Sequence, residues 1–389
     1  MVKFFFNVVA LSVLLIKTAL PTFAQEPKKI EFGGYIKDVQ TVFIPSADTL
    51  PWFSDNTLEN RLRFKYFPTK WLTVNAESRT RFIYGDFVKL IPGYKESFDQ
   101  HMGFADLSWV WSRNSSHVIN TELDRLNVDF NFEKWQIIAG RQRINWGQNL
   151  IWNPNDLVNT YNYFNFEYEE RPGIDALSLK YYPTFSSVAE MVFVPHKHAD
   201  SLTVAGLYRI NRFGYDIQLL AGAFQTDWAI GTGWSGSIGR ASFRGEATYL
   251  LPRIKNGSTE AFIASISGDY TFENNSFIHF GALFNSSGKT RNAGGIGLFS
   301  QEQLSPRSLS KGKYNLFGQF STQPTPLLTL GIAAIANPTD GSAFFSPTAT
   351  YSVAENFDFS TVLILFAGSK NDEFAGIGQM GYLKFRYSF

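Results

Sequence analysis

The chain has no cysteine in its 389 residues, which excludes a disulfide framework and any thiolate metal site. Charge is scarce too. Lys and Arg number 35 against 34 Asp and Glu, a formal net charge of +1, and charged residues make up 18% of the sequence. A nucleic-acid surface needs a basic patch, so no nucleic-acid partner is expected. Beyond the N-terminus there is no long, charge-free apolar run, so no helix is expected to cross a bilayer. What is plentiful is aromatic, at 16%. Many aromatics with few charges depart from soluble averages, toward a protein that meets an apolar medium.

The N-terminus reads as a secretory signal. Lys3 precedes the apolar run from Phe4 to Ile16, Lys17 closes it, and Thr22-Phe23-Ala24 places small residues before Gln25. That is the order of charged, apolar and cleavage regions. An N-terminal membrane helix would need a longer core. No cysteine follows the cut, so lipid anchoring is excluded. The expected organisation is a signal over 1–24 and one domain over 25–389.

After Gln25, short segments alternate with period two. Leu383, Phe385, Tyr387 and Phe389 share one face, and Lys384, Arg386 and Ser388 the other. Arg61, Arg63 and Lys65 interleave with Leu62, Phe64 and Tyr66, and Phe243, Gly245, Ala247 and Tyr249 oppose Ser242, Arg244, Glu246 and Thr248. Only a strand puts successive residues on opposite faces. In lipid the backbone groups of such strands must all be paired, so the sheet has to close. The expected fold is all-β, a closed antiparallel transmembrane β-barrel with an apolar wall and a polar interior. A soluble β-sandwich explains the alternation less well, because so many consecutive segments set large aromatics against charges.

Read back from Phe389, the strands are expected at 379–389, 356–368, 347–353, 327–337, 313–322, 276–285, 260–271, 241–250, 232–239, 213–224, 202–211, 186–194, 173–183, 134–143, 117–129, 70–84, 57–67 and 30–43. Tight turns fall at Ala354-Glu355, Gln323-Pro324-Thr325-Pro326, Glu273-Asn274-Asn275, Gly239-Arg240, Asn211-Arg212, Tyr182-Pro183-Thr184 and Pro68-Thr69. The strand-like piece 100–112 is assigned to an outer excursion over 85–116, because including it makes the strand number odd. About eighteen strands result, with sixteen the alternative, and either would enclose a water-filled lumen.

One connection is unlike the Gly-, Ser- and Asn-rich stretch 286–312. It holds Gly140-Arg141-Gln142-Arg143-Ile144-Asn145-Trp146-Gly147-Gln148, then Trp152-Asn153-Pro154-Asn155-Asp156, and ends Phe166-Glu167-Tyr168-Glu169-Glu170-Arg171-Pro172-Gly173. Trp and Arg together suggest a loop over 142–172 that packs inside the barrel. Glu167, Glu169 and Glu170 are then expected to face Arg141, Arg143 or wall arginines such as Arg61, Arg63, Arg79, Arg81, Arg240 and Arg244, with Arg171 at the loop's end. Opposed charges across a narrow passage filter ions. The same pairs would equally serve an ionic latch that only holds the loop to the wall.

This block resembles one found in poorly characterised porin-like outer-membrane proteins of Bacteroidetes-type bacteria, over about residues 120–195. A wider Arg-Gln…Trp-Gly…Asn-Pro pattern is similar, less closely, to exopolysaccharide-export barrels. The resemblance implies a barrel, secretion and passive transport, with no particular substrate. The terminal Phe385, Tyr387 and Phe389 also resemble the C-terminal segment of outer-membrane barrels that the insertion machinery reads. Expected partners are outer-membrane lipid, lipopolysaccharide and that barrel-assembly machinery. Self-association stays open.

Other sites fail on chemistry. His196 and His198 lack a third ligand with supporting spacing, so no metal is expected. Gly231-Thr232-Gly233-Trp234-Ser235-Gly236 has neither the strand–turn–helix setting nor the lysine of a phosphate loop, and reads as a loop entering a strand. A hydrolase would need a serine with a positioned histidine, and His101, His117 and His279 sit in unrelated segments. His279 reads as a structural or lumen residue, and no enzyme activity or cofactor is expected. The few residues between Gln25 and Ile30 leave no room for the plug of an energy-coupled receptor.

Overall fold

A computed structural model describes residues 29–47, 49–99, 103–160, 170–197, 201–254, 258–294, 305–376 and 378–389. The expected signal at 1–24, together with Glu167, Glu169, His101 and His198, lies outside the described residues.

The alternating stretches form one 19-stranded sheet. Its strands are β1 (Ile30–Pro45), β2 (Phe53–Thr69), β3 (Leu72–Gly85), β4 (Ser108–Arg113), β5 (His117–Asn131), β6 (Trp135–Gln142), β7 (Ile174–Thr184), β8 (Ser187–Val194), β9 (Thr203–Arg212) and β10 (Tyr215–Phe224). It continues through β11 (Asp227–Ile238), β12 (Ala241–Pro252), β13 (Ala261–Thr271), β14 (Phe277–Asn285), β15 (Tyr314–Thr325), β16 (Leu328–Asn337), β17 (Ser342–Ala354), β18 (Phe357–Ala367) and β19 (Gly378–Ser388). A short helix, α1 (Asp86–Leu90), follows β3. Sequence neighbours pair antiparallel, and β19 returns to β1 over Tyr35↔Ser388 to Pro45↔Gly378. No edge of the ring is left open, which is the condition lipid imposes on a sheet.

β4 is the exception to this order. β3 pairs directly with β5, while β4 forms a hairpin with the same strand. Across Val118–Glu122, β5 is bonded to both, so the two lie on its opposite edges. Lower down, at Leu126–Asn131, β6 occupies the edge that β4 uses above. β4 therefore fills the notch in the wall above the short β6, and the closed barrel has 18 strands. Of the strand-like piece expected at 100–112, residues from Ser108 on form a strand, and that strand stands outside the ring.

Burial follows the alternation. On β1, Tyr35, Lys37, Val39, Thr41 and Phe43 are buried, while Phe32, Gln40 and Val42 are exposed. The exposed set carries the aromatics, and Trp71 stacks on Phe130 and Phe132 at 6.2 and 6.0 Å. Phe385 and Tyr387 belong to this outward set. The ladder runs on to the last residue, where Phe389 N–H donates to Gly34 O and Gly34 N–H to Phe389 O, at 3.0 and 2.9 Å.

Several turns lie about two residues later than expected. Strand β2 runs through Pro68 to a turn at Lys70-Trp71, β7 through Pro183 to Phe185-Ser186, and β15 through Pro324 to Pro326-Leu327. In each case the ladder register shifts around the proline, between Tyr66 and Thr69, Tyr181 and Thr184, and Thr322 and Thr325. Proline lacks the ladder N–H, and a bulge next to the turn accommodates it. Asn211-Arg212 also belongs to a strand. The turn is Phe213-Gly214, with φ of 56° and 78°, the two left-handed residues that a tight hairpin requires. The glycine-rich Gly231–Gly236 stretch lies wholly inside β11, because the outer connection before it is only Gln225-Thr226.

Candidate constriction of the lumen

Strand β6 stops at Gln142, and the chain then leaves the wall. From 143 to 160 it runs across the barrel's inner face. Trp146 Nε1 donates to Glu190 Oε2 of β8 at 2.9 Å, and Gln218 Nε2 of β10 donates to Trp146 O at 2.8 Å. Asn155 Nδ2 donates to Thr232 O of β11, and Thr248 Oγ1 of β12 to Pro154 O, both at 2.9 Å. On β13, Ser265 receives Asn149 Nδ2 at 2.6 Å and donates to Trp152 O at 2.9 Å. Further round, the Trp152 ring meets Phe317 of β15 edge-on at 6.3 Å. Ile144, Trp146, Trp152, Leu157 and Val158 are buried in the main apolar cluster of the barrel.

Glu246 of β12 holds the centre of this contact. Its carboxylate accepts the backbone N–H groups of Gln148, Asn149 and Asn155, the last two at 2.8 and 3.0 Å. The side chain is 1% exposed. Each such bond to a charged acceptor contributes about 1.5–3 kcal/mol. Gly147 permits the approach, since a Cβ there would lie 2.4 Å from Asn153 Oδ1.

The segment also has its own internal ties. Asp156 Oδ2 binds Arg171 Nη1 at 2.7 Å, and its other oxygen accepts Trp146 N–H at 3.3 Å. Burial pushes the Asp156 carboxyl up to about 6, against the opposing pull of Arg171. Ile144 N–H donates to Asn159 Oδ1, and Asn159 Nδ2 to Pro172 O.

At its far end the segment reaches the opposite wall. Glu170 Oε2 is 2.9 Å from the Tyr35 hydroxyl of β1 and 3.7 Å from Arg61 Nη1 of β2. That wall is laced with charge. Lys37 and Arg79 pair with Glu59 at 3.3 and 2.6 Å, and Arg61 pairs with Glu77 at 2.7 Å and with Asp124. Arg81 donates to Asn120 Oδ1 at 3.1 Å and lies over the Phe98 ring.

The arginines expected to face the loop thus divide. Arg61 meets Glu170, while Arg79 and Arg81 flank that pair on β3. Arg63 is exposed on the inward face of β2, and Arg143 is exposed at the start of the loop. Three others are paired away from the loop's glutamate. Arg244 pairs with Asp269 on β13. Arg240 sits at a turn with exposed Glu273. Arg141 forms a two-pronged pair with Asp175, both contacts 2.9 Å, and donates to Ala105 O at 2.6 Å. By register Arg141 shares the face of Ile137 and Ala139, and Asp175 that of Leu177 and Leu179. It ties the lead-in to β4 onto the wall. His279 is buried on β14 against Phe317, at 5.1 Å. Among the described residues, no group of three or more His, Cys, Asp or Glu is placed to hold a metal ion.

A closed 18-stranded antiparallel barrel with a long connection folded across its interior is a porin-like fold. Solved structures share that fold. Acinetobacter baumannii OccAB4 matches at TM-score 0.60 and 8% identity, over 94% of this chain and 100% of that one. A. baumannii OccAB3 matches at TM-score 0.59 and 9% identity, over 92% and 99% of the two chains. Pseudomonas aeruginosa OccK11 (OpdR) matches at TM-score 0.58 and 7% identity, over 92% and 96%. No protein-family model matches the chain, and no curated protein matches it. The expected kinship with Bacteroidetes-type proteins is corrected by these matches, which come from Acinetobacter and Pseudomonas. The described residues of the block that carried the resemblance have a physical reason of their own, since 143–160 run across the inner face and Glu170 reaches β1 and β2.

Proposed function

We propose that the protein is a passive outer-membrane channel for small hydrophilic solutes, with the segment 143–173 as its constriction. The supporting observation is that this one segment touches both sides of the interior, at Glu246 on β12 and at Tyr35 and Arg61 on β1 and β2. A loop held at two opposite walls narrows the passage between them. Solutes would meet exposed Arg143 and Asn145 on the loop, exposed Arg63 and Lys65 below them, and the partly exposed Glu170. Charges of both signs across such a passage favour dipolar and ionic solutes over apolar ones. In this reading the outward aromatics sit against lipid and lipopolysaccharide. Phe385, Tyr387 and Phe389 present the strand that the barrel-assembly machinery reads.

Planar-bilayer recording on the purified, folded protein tests this reading. Stepwise ion conductance is expected, and a folded protein that inserts without conducting would overturn it.

A further inference from the structure

The inner wall of β14 holds a side chain that neither the loop nor the ion pairs of the constriction use. His279 is 1% exposed, and neither of its ring nitrogens has a hydrogen-bond partner among the described residues. Buried polar groups are nearly always paired, so a side chain with two orphaned nitrogens calls for a reason. The alternation of β14 turns it inward with Leu283 and Asn285. Phe277 and Phe317 lie against the ring at 6.4 and 5.1 Å. Phe317 in turn meets Trp152 of the lumen-crossing segment.

Charge lies on one side of this ring only. In the ladder, Asp269 of β13 stands opposite His279, and Gln319 of β15 stands opposite it on the other side. Cross-strand neighbours hold their Cβ atoms about 4.5–5.5 Å apart, so the carboxylate is within the imidazole's reach. Asp269 binds Arg244 of β12 with one oxygen and accepts the Ser242 hydroxyl on the other, at 2.8 Å. Arg244 and Asp269 keep 19% and 12% of their side-chain surface, so the pair borders the lumen while His279 lies behind it. Among the described residues, Glu246 is the other charged group on the inward faces of β12–β15, and backbone N–H groups of the loop occupy its carboxylate. The nearby loop residues Asn149, Leu150, Ile151 and Trp152 carry no charge.

We propose that His279 is a selectivity-setting residue of the channel, a proton site in the wall whose imidazolium shares the Asp269 carboxylate. With the ring neutral, Arg244 and Asp269 cancel. One proton taken from the lumen makes both ring nitrogens donors and gives one of them to Asp269. The three side chains then carry a net charge of +1 beside the passage. Histidine suits this role because its charge changes within the physiological pH range. A fixed positive charge on a lumen wall favours anions over cations. Acidic medium should therefore turn the channel toward anions at this wall, separately from any effect at Glu170 or Asp156.

The inference rests on the channel reading, and its two measurements separate the failures. Reversal potentials in a potassium chloride gradient are compared at pH 7.5 and pH 4.5 for the native protein and His279→Gln. Over that interval the chloride-to-potassium permeability ratio should rise about twofold more in the native protein, from the Coulomb energy of one charge roughly 10 Å from the ion path in water. The glutamine variant keeps a polar side chain that cannot take the charge, and its folding is checked by heat-dependent gel mobility. The second measurement needs no conductance. In nitrogen-15 spectra of protein with labelled histidines, the ring signal missing from His279→Gln should move to the imidazolium position as the pH falls. An equal rise in both proteins would overturn the proposal, and so would a ring that stays neutral down to pH 4.5. A ring that titrates in a protein that does not conduct would sink the channel reading and keep the proton site.

Discussion

The two walls that grip the lumen-crossing segment hold it by different physics. On β8–β13 the contact is buried and mostly neutral, with amides and hydroxyls bonding to the loop around one carboxylate, Glu246, that is 1% exposed. On β1–β3 the contact is a network of ion pairs, and the loop's own member, Glu170, keeps 29% of its side-chain surface. Buried bonds to backbone resist any motion that would leave them unpaired. Partly solvated ion pairs exchange readily with water and salt. The first wall is thus built to position the loop, and the second to present charge beside the passage.

The largest effects should come from the positioning wall. Glu246→Ala would leave three buried N–H groups without an acceptor, each at about 1–3 kcal/mol. Loss of the loop's docking is expected, seen as a higher and noisier single-channel conductance and faster proteolysis within 143–160. Glu246→Gln keeps one carbonyl acceptor and should lie between that variant and the native protein. A native conductance for Glu246→Ala would remove the distinction between the walls. Next comes Arg61→Ala, which leaves Asp124 and Glu77 facing each other without their cation. Removing one partner of a buried pair costs about 3–5 kcal/mol. A lower thermal midpoint and a shift toward cation selectivity are expected together. A shift in only one would separate the structural role of this wall from its electrostatic role.

A third, smaller effect follows from Asp156, inside the loop itself. Its carboxyl is raised from 3.8 to about 6, so the docked loop binds the proton more tightly than a released loop does. Docking should therefore strengthen as pH falls from above 6 toward 4, and weaken as pH rises through the same window. At about 1.4 kcal/mol per unit, the shift is on the order of 2 to 3 kcal/mol before relaxation. Amide exchange within 143–160, corrected for the intrinsic pH dependence, should be slower at pH 5 than at pH 7.5. Asp156→Asn should reduce the difference. Protection that grows with pH would show that the Arg171 pair outweighs burial.

The walls were legible in the sequence to different degrees. Alternation alone placed the strands, because one face meets an apolar medium and the other does not, and parity kept 100–112 out of the ring. It misplaced turns at Pro68, Pro183 and Pro324, where proline marks a bulge before the turn and not the turn itself. The loop's inward fold could be read from its Trp and Arg, and the Glu170–Arg61 contact from opposed charges. Glu246 was seen only as one polar position of an alternating strand. Its partners are backbone groups nearly a hundred residues away, and a backbone N–H has no signature in sequence. Arg141 misled for the opposite reason. Its partner Asp175 is set by the β6–β7 register and its cover by the lead-in to β4, neither of which a linear reading supplies.

The finest test of the comparison is Glu170→Gln. The side chain has kept enough exposure, and is far enough from Arg61 at 3.7 Å, that the pair contributes less than about 1 kcal/mol. Tyr35 retains Glu59 as an acceptor at 2.9 Å, so no buried hydroxyl is stranded. The thermal midpoint should stay close to native. If this wall presents its charge to permeating water, removing one negative charge must still move the reversal potential in a salt gradient toward anions. The shift should shrink as ionic strength rises and the Debye length falls below about 10 Å. A native reversal potential at low salt, with stability also unchanged, would mean that Glu170 is a latch whose charge the passage never feels.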